Sequence, residues 1–173
     1  MGKEQTSVFF RSSRTRELVR RLIKSGKTVA AAESCTAGLA AGLIAEIPGA
    51  SRILWGSFVS YTPEAKCKML GVKETTLKQY GTVSRETAVE MAMGALEQSG
   101  ADYAFSVTGV AGPGNDESGI PAGVVWIAVI QKGGHAEAML FRLHGSRNAI
   151  RRAAAAKALD ILLKKLPKTN GEG

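Results

Sequence analysis

Ser34, in the run Ala32-Glu33-Ser34-Cys35-Thr36, follows a short apolar stretch and precedes a helical one. A hydroxyl at such a strand-to-helix turn lies beside free backbone N–H groups able to hold an oxyanion, as in a nucleophile elbow. The same position suits a helix N-cap, worth ~1 kcal/mol, and spacing alone leaves both readings open. The GxSxG signature is absent and neither His135 nor His144 follows a strand into the rim, so a serine nucleophile needs another base. Lys66 can fill that role. It falls near the first turn of a helix opened by Thr62-Pro63-Glu64, where the macrodipole repels a cation, and burial there would bring an ammonium toward neutrality. The alternative is a solvated surface lysine. Cys35 would have a lowered pKa at a helix start, against the reading of a buried, inert thiol.

Arg147 opens the last helical stretch, again the unfavourable end for a cation unless an anion docks there, and Arg151 follows one turn later on the same face. Together with backbone amides they would suit a phosphate or carboxylate; paired surface arginines are the alternative. Gly109 and Gly112, in Thr108-Gly109-Val110-Ala111-Gly112-Pro113-Gly114, would let backbone approach a ligand, though the run is neither a Walker loop nor a GxGxxG fingerprint.

The elements that would carry these groups read as follows. Arg14 to Lys24 has helical spacing, and Thr28 to Ala32 is a buried strand running into Ser34 and a second helix that ends near Pro48-Gly49. Ile53 to Ser60 is a strand, and Thr62-Pro63-Glu64 combines a capping hydroxyl, proline at N1 and an early acid. Ser84 to Ser99 is helical, with Val89, Ala92, Met93 and Leu96 expected on its core face. Tyr103 to Thr108 is a third strand, Val124 to Ile130 and Ala136 to Leu143 form a hairpin, and Arg147 to Lys165 is the closing helix. This alternation predicts a single-domain three-layer αβα sandwich, its mixed sheet parallel at the centre with an antiparallel edge hairpin. The polar clusters at Ser34, Tyr61 and Thr108 would then share one rim at the carboxyl ends of the strands. Residues 14–166 are expected to form the domain, with residues 1–13 a flexible arm and residues 167–173 a flexible tail.

The 173 residues, 45% hydrophobic and 22% charged, suit one water-soluble domain. No apolar run nears the ~20 residues of a bilayer span, and Val8-Phe9-Phe10 is short for a signal core, so a cytoplasmic protein with no membrane partner is expected. Two cysteines and two histidines without ligand spacing argue against a metal site. The net charge of +8 is spread over helices and tails with little aromatic interleaving, so nucleic acid is not the expected partner, and small anionic substrates suit the balance as well.

Ala32-Glu33-Ser34-Cys35-Thr36-Ala37-Gly38, Tyr61 with Glu64-Ala65-Lys66 and Leu70-Gly71-Val72, Thr108 to Pro113, and Gly123-Val124-Val125-Trp126 together resemble the CinA C-terminal domain family. The resemblance runs from about Thr28 to Leu163. It implies a nicotinamide-nucleotide amidohydrolase of pyridine-nucleotide recycling, with a small-molecule nucleotide substrate, a homo-oligomeric state, and no metal or organic cofactor. It also implies a catalytic dyad of Ser34 and Lys66, assisted by Tyr61 and Thr108. The backbone N–H groups of Cys35 and Thr36 would form the oxyanion hole, and Arg147 would meet the phosphate. Ala37 and Ile120 depart from the family pattern, which has glycine and often lysine there. A non-catalytic nucleotide-binding or competence and damage-response module is the rival reading.

Overall fold

The central strand, β1 (Val29–Glu33), is buried along its whole length, which its small side chains permit between two layers of helices. Around it lies a five-stranded sheet of order β2-β1-β3-β4-β5, in which β2 spans Leu54–Val59, β3 Tyr103–Gly109, β4 Val124–Gln131 and β5 Glu137–Arg142. The first three strands in that order are parallel, whereas β4 runs antiparallel to β3 and β5 to β4. This is the single-domain mixed sheet expected, with its antiparallel edge hairpin turned at Gly133. The computed structural model describes the backbone of residues 3–167 and the side chains from residue 13 onward.

One face of the sheet is covered by α1 (Lys3–Ser25), α2 (Leu39–Ala45) and α6 (Arg147–Lys165). Its core is made of large side chains, among them Leu18, Leu22, Ile44, Phe105, Ile127, Ile150 and Leu162. The other face carries α3 (Pro63–Leu70), α4 (Glu74–Tyr80) and α5 (Arg85–Ser99) over a core rich in alanine: Ala32, Ala88, Ala92, Ala95, Ala104 and Ala128. No helix among the described residues is long and apolar enough to cross a membrane.

Two expectations are corrected. The backbone of residues 3–13, read as a loose arm, belongs to α1. Nothing from Lys3 to Ser25 is Gly or Pro, and a nucleated helix propagates cheaply through such a stretch until Gly26. Most of the expected tail, residues 168–173, lies outside the described residues. The core face of α5 is Thr87, Ala88, Met91, Ala92, Gly94 and Ala95, while Met93 is exposed and Val89 and Leu96 are half-buried. Small residues win because this helix packs at very short range: a Cβ on Gly94 would sit 1.9 Å from the Leu70 carbonyl oxygen of α3. Finally, α4 is a separate helix between α3 and α5 that the sequence reading did not resolve.

Candidate active site

The carboxyl ends of β2, β1 and β3 form the expected common rim. Ser34 still donates its N–H to the Val107 carbonyl, in the ladder, and Ser60 likewise to the Glu33 carbonyl. Strand alternation puts Ser60, Ser34 and Thr108 on the face covered by α3 and α5. Beyond Ser34 the chain turns through Ala37 at φ 50° and Gly38 at φ 87°, and α2 begins only at Leu39. Ser34 is therefore not the N-cap. Glu33 does that work: its buried carboxylate accepts from the N–H groups of Ala40 (3.0 Å) and Ala41 (2.9 Å) and from the Ser57 hydroxyl (3.1 Å). An acid at the end of an otherwise apolar strand was the available signal for this role.

Lys66 reaches the same point from α3. The helix starts where the sequence places it, with Thr62 Oγ1 accepting from the Ala65 N–H and Pro63 at the first position. Lys66 is 1% exposed, and its Nζ lies 2.9 Å from Ser34 Oγ and donates to the Ser60 carbonyl at 2.7 Å. Burial pushes its pKa from 10.5 down to about 8, with the neighbouring Cys35 opposing slightly. On the order of a tenth of the amines are then neutral at pH 7, each able to accept a proton from a hydroxyl. The solvated-lysine alternative is excluded. Burial also pushes the Cys35 thiol up to about 11, so it is held protonated at neutral pH and is a poor nucleophile.

A cavity of about 990 Å³ opens onto this pair, bordered also by Tyr61, Gly109, Gly112 and Arg147. Arg147 donates to the Tyr61 hydroxyl at 2.8 Å and to the Gly112 carbonyl, tying two loops together across the rim. Lys68 and Lys78, which also border the cavity, are paired with Glu64 and Glu74. Arg147 has no carboxylate partner among the described residues.

Other expected site residues are placed differently. Thr108 donates to the Thr82 carbonyl at 2.6 Å and Tyr61, 52% exposed, accepts from Arg147, so neither hydroxyl touches Ser34 or Lys66. The orienting contact on the amine is instead the Ser60 carbonyl, a main-chain group with no residue-type signal. Arg151 does not border the cavity. Its Nε and Nη2 donate to the carbonyls of Cys35 (3.1 Å) and Thr36 (3.0 Å), and its Nη1 to Asn148 Oδ1 (3.2 Å). It braces the turn after Ser34 rather than facing a ligand. The bareness of Gly109 is explained by β4, since a Cβ there would lie 2.6 Å from the Val124 carbonyl oxygen. Cys35 borders the cavity, whereas Thr36 is fully buried and does not.

The CinA C-terminal domain model matches residues 11–166. Among curated proteins, the chain is 45% identical over 137 residues to the nicotinamide-nucleotide amidohydrolase PncC of Escherichia coli K12, a match covering 79% of this chain and 83% of that protein. It is 46% identical over 145 residues to a CinA-like protein of Syntrophomonas wolfei, covering 84% of this chain but 35% of the relative. The chain thus spans about a third of the length of that longer relative. A crystal structure of a CinA superfamily protein from Klebsiella pneumoniae 700603 superposes with TM-score 0.87 at 33% identity, over 90% of this chain and 97% of the other. A competence/damage inducible protein from Agrobacterium tumefaciens gives TM-score 0.81 at 42% identity, over 87% and 94%.

Proposed function

The chain belongs to the CinA C-terminal domain family, and from that premise we propose that it is an amidohydrolase converting nicotinamide mononucleotide to nicotinate mononucleotide and ammonia, a cytoplasmic step of pyridine-nucleotide recycling. The name carried by the 45%-identical E. coli relative supports the substrate. The observation that carries the chemistry is the 2.9 Å approach of the buried Lys66 amine to Ser34 Oγ.

In the forward reaction neutral Lys66 removes the Ser34 proton as Oγ attacks the carboxamide carbon. The N–H of Cys35, at the edge of the cavity, holds the tetrahedral oxyanion; one such donor is worth roughly 3 kcal/mol. The ammonium on Lys66 then returns its proton to the departing nitrogen, ammonia leaves, and Ser34 carries the acyl group. Water, deprotonated by the same amine, attacks the ester, and the serine is regenerated. Arg147 receives the nucleotide phosphate, and Tyr61 and the Gly112 carbonyl hold its guanidinium in place.

Ammonia release from nicotinamide mononucleotide, free nicotinamide and glutamine, assayed side by side, tests the reading. The nucleotide is expected to be the preferred substrate, and Ser34→Ala and Lys66→Ala are each expected to lose on the order of a thousandfold in kcat while remaining folded. Failure of the parent protein to act on any of the three, with retained nucleotide binding, would establish a binding module instead.

A further inference from the structure

Four hydroxyls lie on the sheet face beneath α3 and α5 at the carboxyl ends of the strands: Ser60, Ser34, Ser106 and Thr108. Three of them have partners. Ser106 donates to the Ala88 carbonyl at 2.6 Å, Thr108 to the Thr82 carbonyl at 2.6 Å, and Ser34 meets Lys66. Ser60 Oγ is different. The residue is 0% exposed, and the hydroxyl has no hydrogen-bond partner among the described residues. An orphaned buried hydroxyl opposes folding by about 1–3 kcal/mol, so it is not there for stability.

Its position connects it to the reaction. The carbonyl of the same residue already accepts from Lys66 Nζ at 2.7 Å, and a serine hydroxyl is one χ1 rotation from its other staggered wells. A neutral amine that accepts the Ser34 proton through its lone pair has two N–H bonds, one of which goes to the Ser60 carbonyl. Once the proton has moved, the ammonium has three. One points at Ser34 Oγ, one at the Ser60 carbonyl, and the third faces a buried setting with no assigned acceptor.

Resting on the amidase reading above, we infer that Ser60 is a positioning residue whose hydroxyl accepts the third N–H of the Lys66 ammonium formed during turnover. Ser60 neither gains nor loses a proton: the one proton transferred goes from Ser34 Oγ to Lys66 Nζ and then to the leaving nitrogen. Such a contact lowers the energy of the charged intermediate and its flanking transition states relative to the neutral-amine form that takes the proton. A residue present only to support the fold would behave in the opposite way.

The test is Ser60→Ala, which removes one oxygen and creates no new polar group, read by steady-state ammonia release from nicotinamide mononucleotide and by thermal unfolding. The expected result is a fall in kcat of about tenfold, the scale of one hydrogen bond to a charged group, with KM within about twofold. Tm should stay level or rise, since the orphan has gone. Ser106→Ala is the structural control, with Tm lowered and kcat retained. An unchanged kcat in Ser60→Ala would overturn the inference, and so would a lower kcat accompanied by a lower Tm. If the parent releases no ammonia, the substrate reading fails, and the same kcat comparison passes to p-nitrophenolate release from p-nitrophenyl acetate through acylation of Ser34. Failure of the parent on the ester as well would end both.

Discussion

The two faces of the sheet are built from different materials. On the α1, α2 and α6 side, leucine, isoleucine and phenylalanine fill the space between sheet and helices, the ordinary route to stability through buried apolar area. On the α3, α4 and α5 side, alanine, glycine and hydroxyl residues let helix backbones come close to the strands and to one another, and the candidate site sits at the end of that thin layer. The contrast teaches that the second face is shaped for distance rather than for bulk. Lys66 reaches Ser34 because α3 is held at short range by α5, and large side chains there would carry the amine away.

The largest effect should come from testing this division directly. Gly94→Ala places a methyl 1.9 Å from the Leu70 carbonyl oxygen, so α3 must move. Destabilisation by roughly 2–3 kcal/mol is expected, together with a drop in kcat of about tenfold or more as the amine shifts from Ser34. Leu162→Ala, on the opposite face, should cost about 2–5 kcal/mol yet leave kcat unchanged wherever the variant is folded. Chemical denaturation and turnover measured on both variants check this, and equal loss of rate in the two would erase the distinction between the faces.

A second effect follows from burying an amine in the thin layer. With the folded pKa at about 8 against 10.5, the unfolded chain holds a proton through that window that the folded chain has released, so stability rises with pH between those values. The folded state of the parent, measured against Lys66→Met, should gain ~3 kcal/mol on going from pH 7 to beyond pH 10.5. On the same basis kcat/KM should climb about tenfold per pH unit below about 8 and level off above it. A flat profile would mean that Lys66 does not act as a neutral base.

The smallest expected effect lies in the turn between the faces. Ala37 adopts φ 50°, a left-handed conformation that costs a residue with a Cβ roughly 1 kcal/mol. Ala37→Gly should recover a few tenths to about 1 kcal/mol in urea unfolding without altering KM. A loss of stability there would show that the alanine methyl contributes packing that outweighs its backbone strain.

Most of the layout was legible because it is written in residue type. Thr62-Pro63 fixed the start of α3 and hence the turn on which Lys66 lies, Gly133-Gly134 marked the hairpin, and Arg147 opened the last helix as expected. What escaped reading was written in main-chain groups or in tertiary proximity. The Ser60 carbonyl that grips the amine is identical in every residue, and Thr108 finds its partner, Thr82, only once α5 has docked. Periodicity pointed to Val89, Ala92, Met93 and Leu96 as the core face of α5 because it weighs hydrophobicity. Ala92 is buried and Val89 and Leu96 pack at the edge of that core, but Met93 is exposed, and the helix also buries Ala88 and Ala95, which the close approach to α3 and the sheet demands.

The carboxylate of Glu33, spanning the first amides of α2, has a consequence for how a guest must enter. A helix start that brings its own counter-ion has no attraction left for a visiting phosphate. In the proposed amidase the nucleotide phosphate is thereby left to Arg147, and the carboxamide end of the substrate to the space beside the amine. The proposed guest would thus be oriented by a berth that Glu33 has already filled.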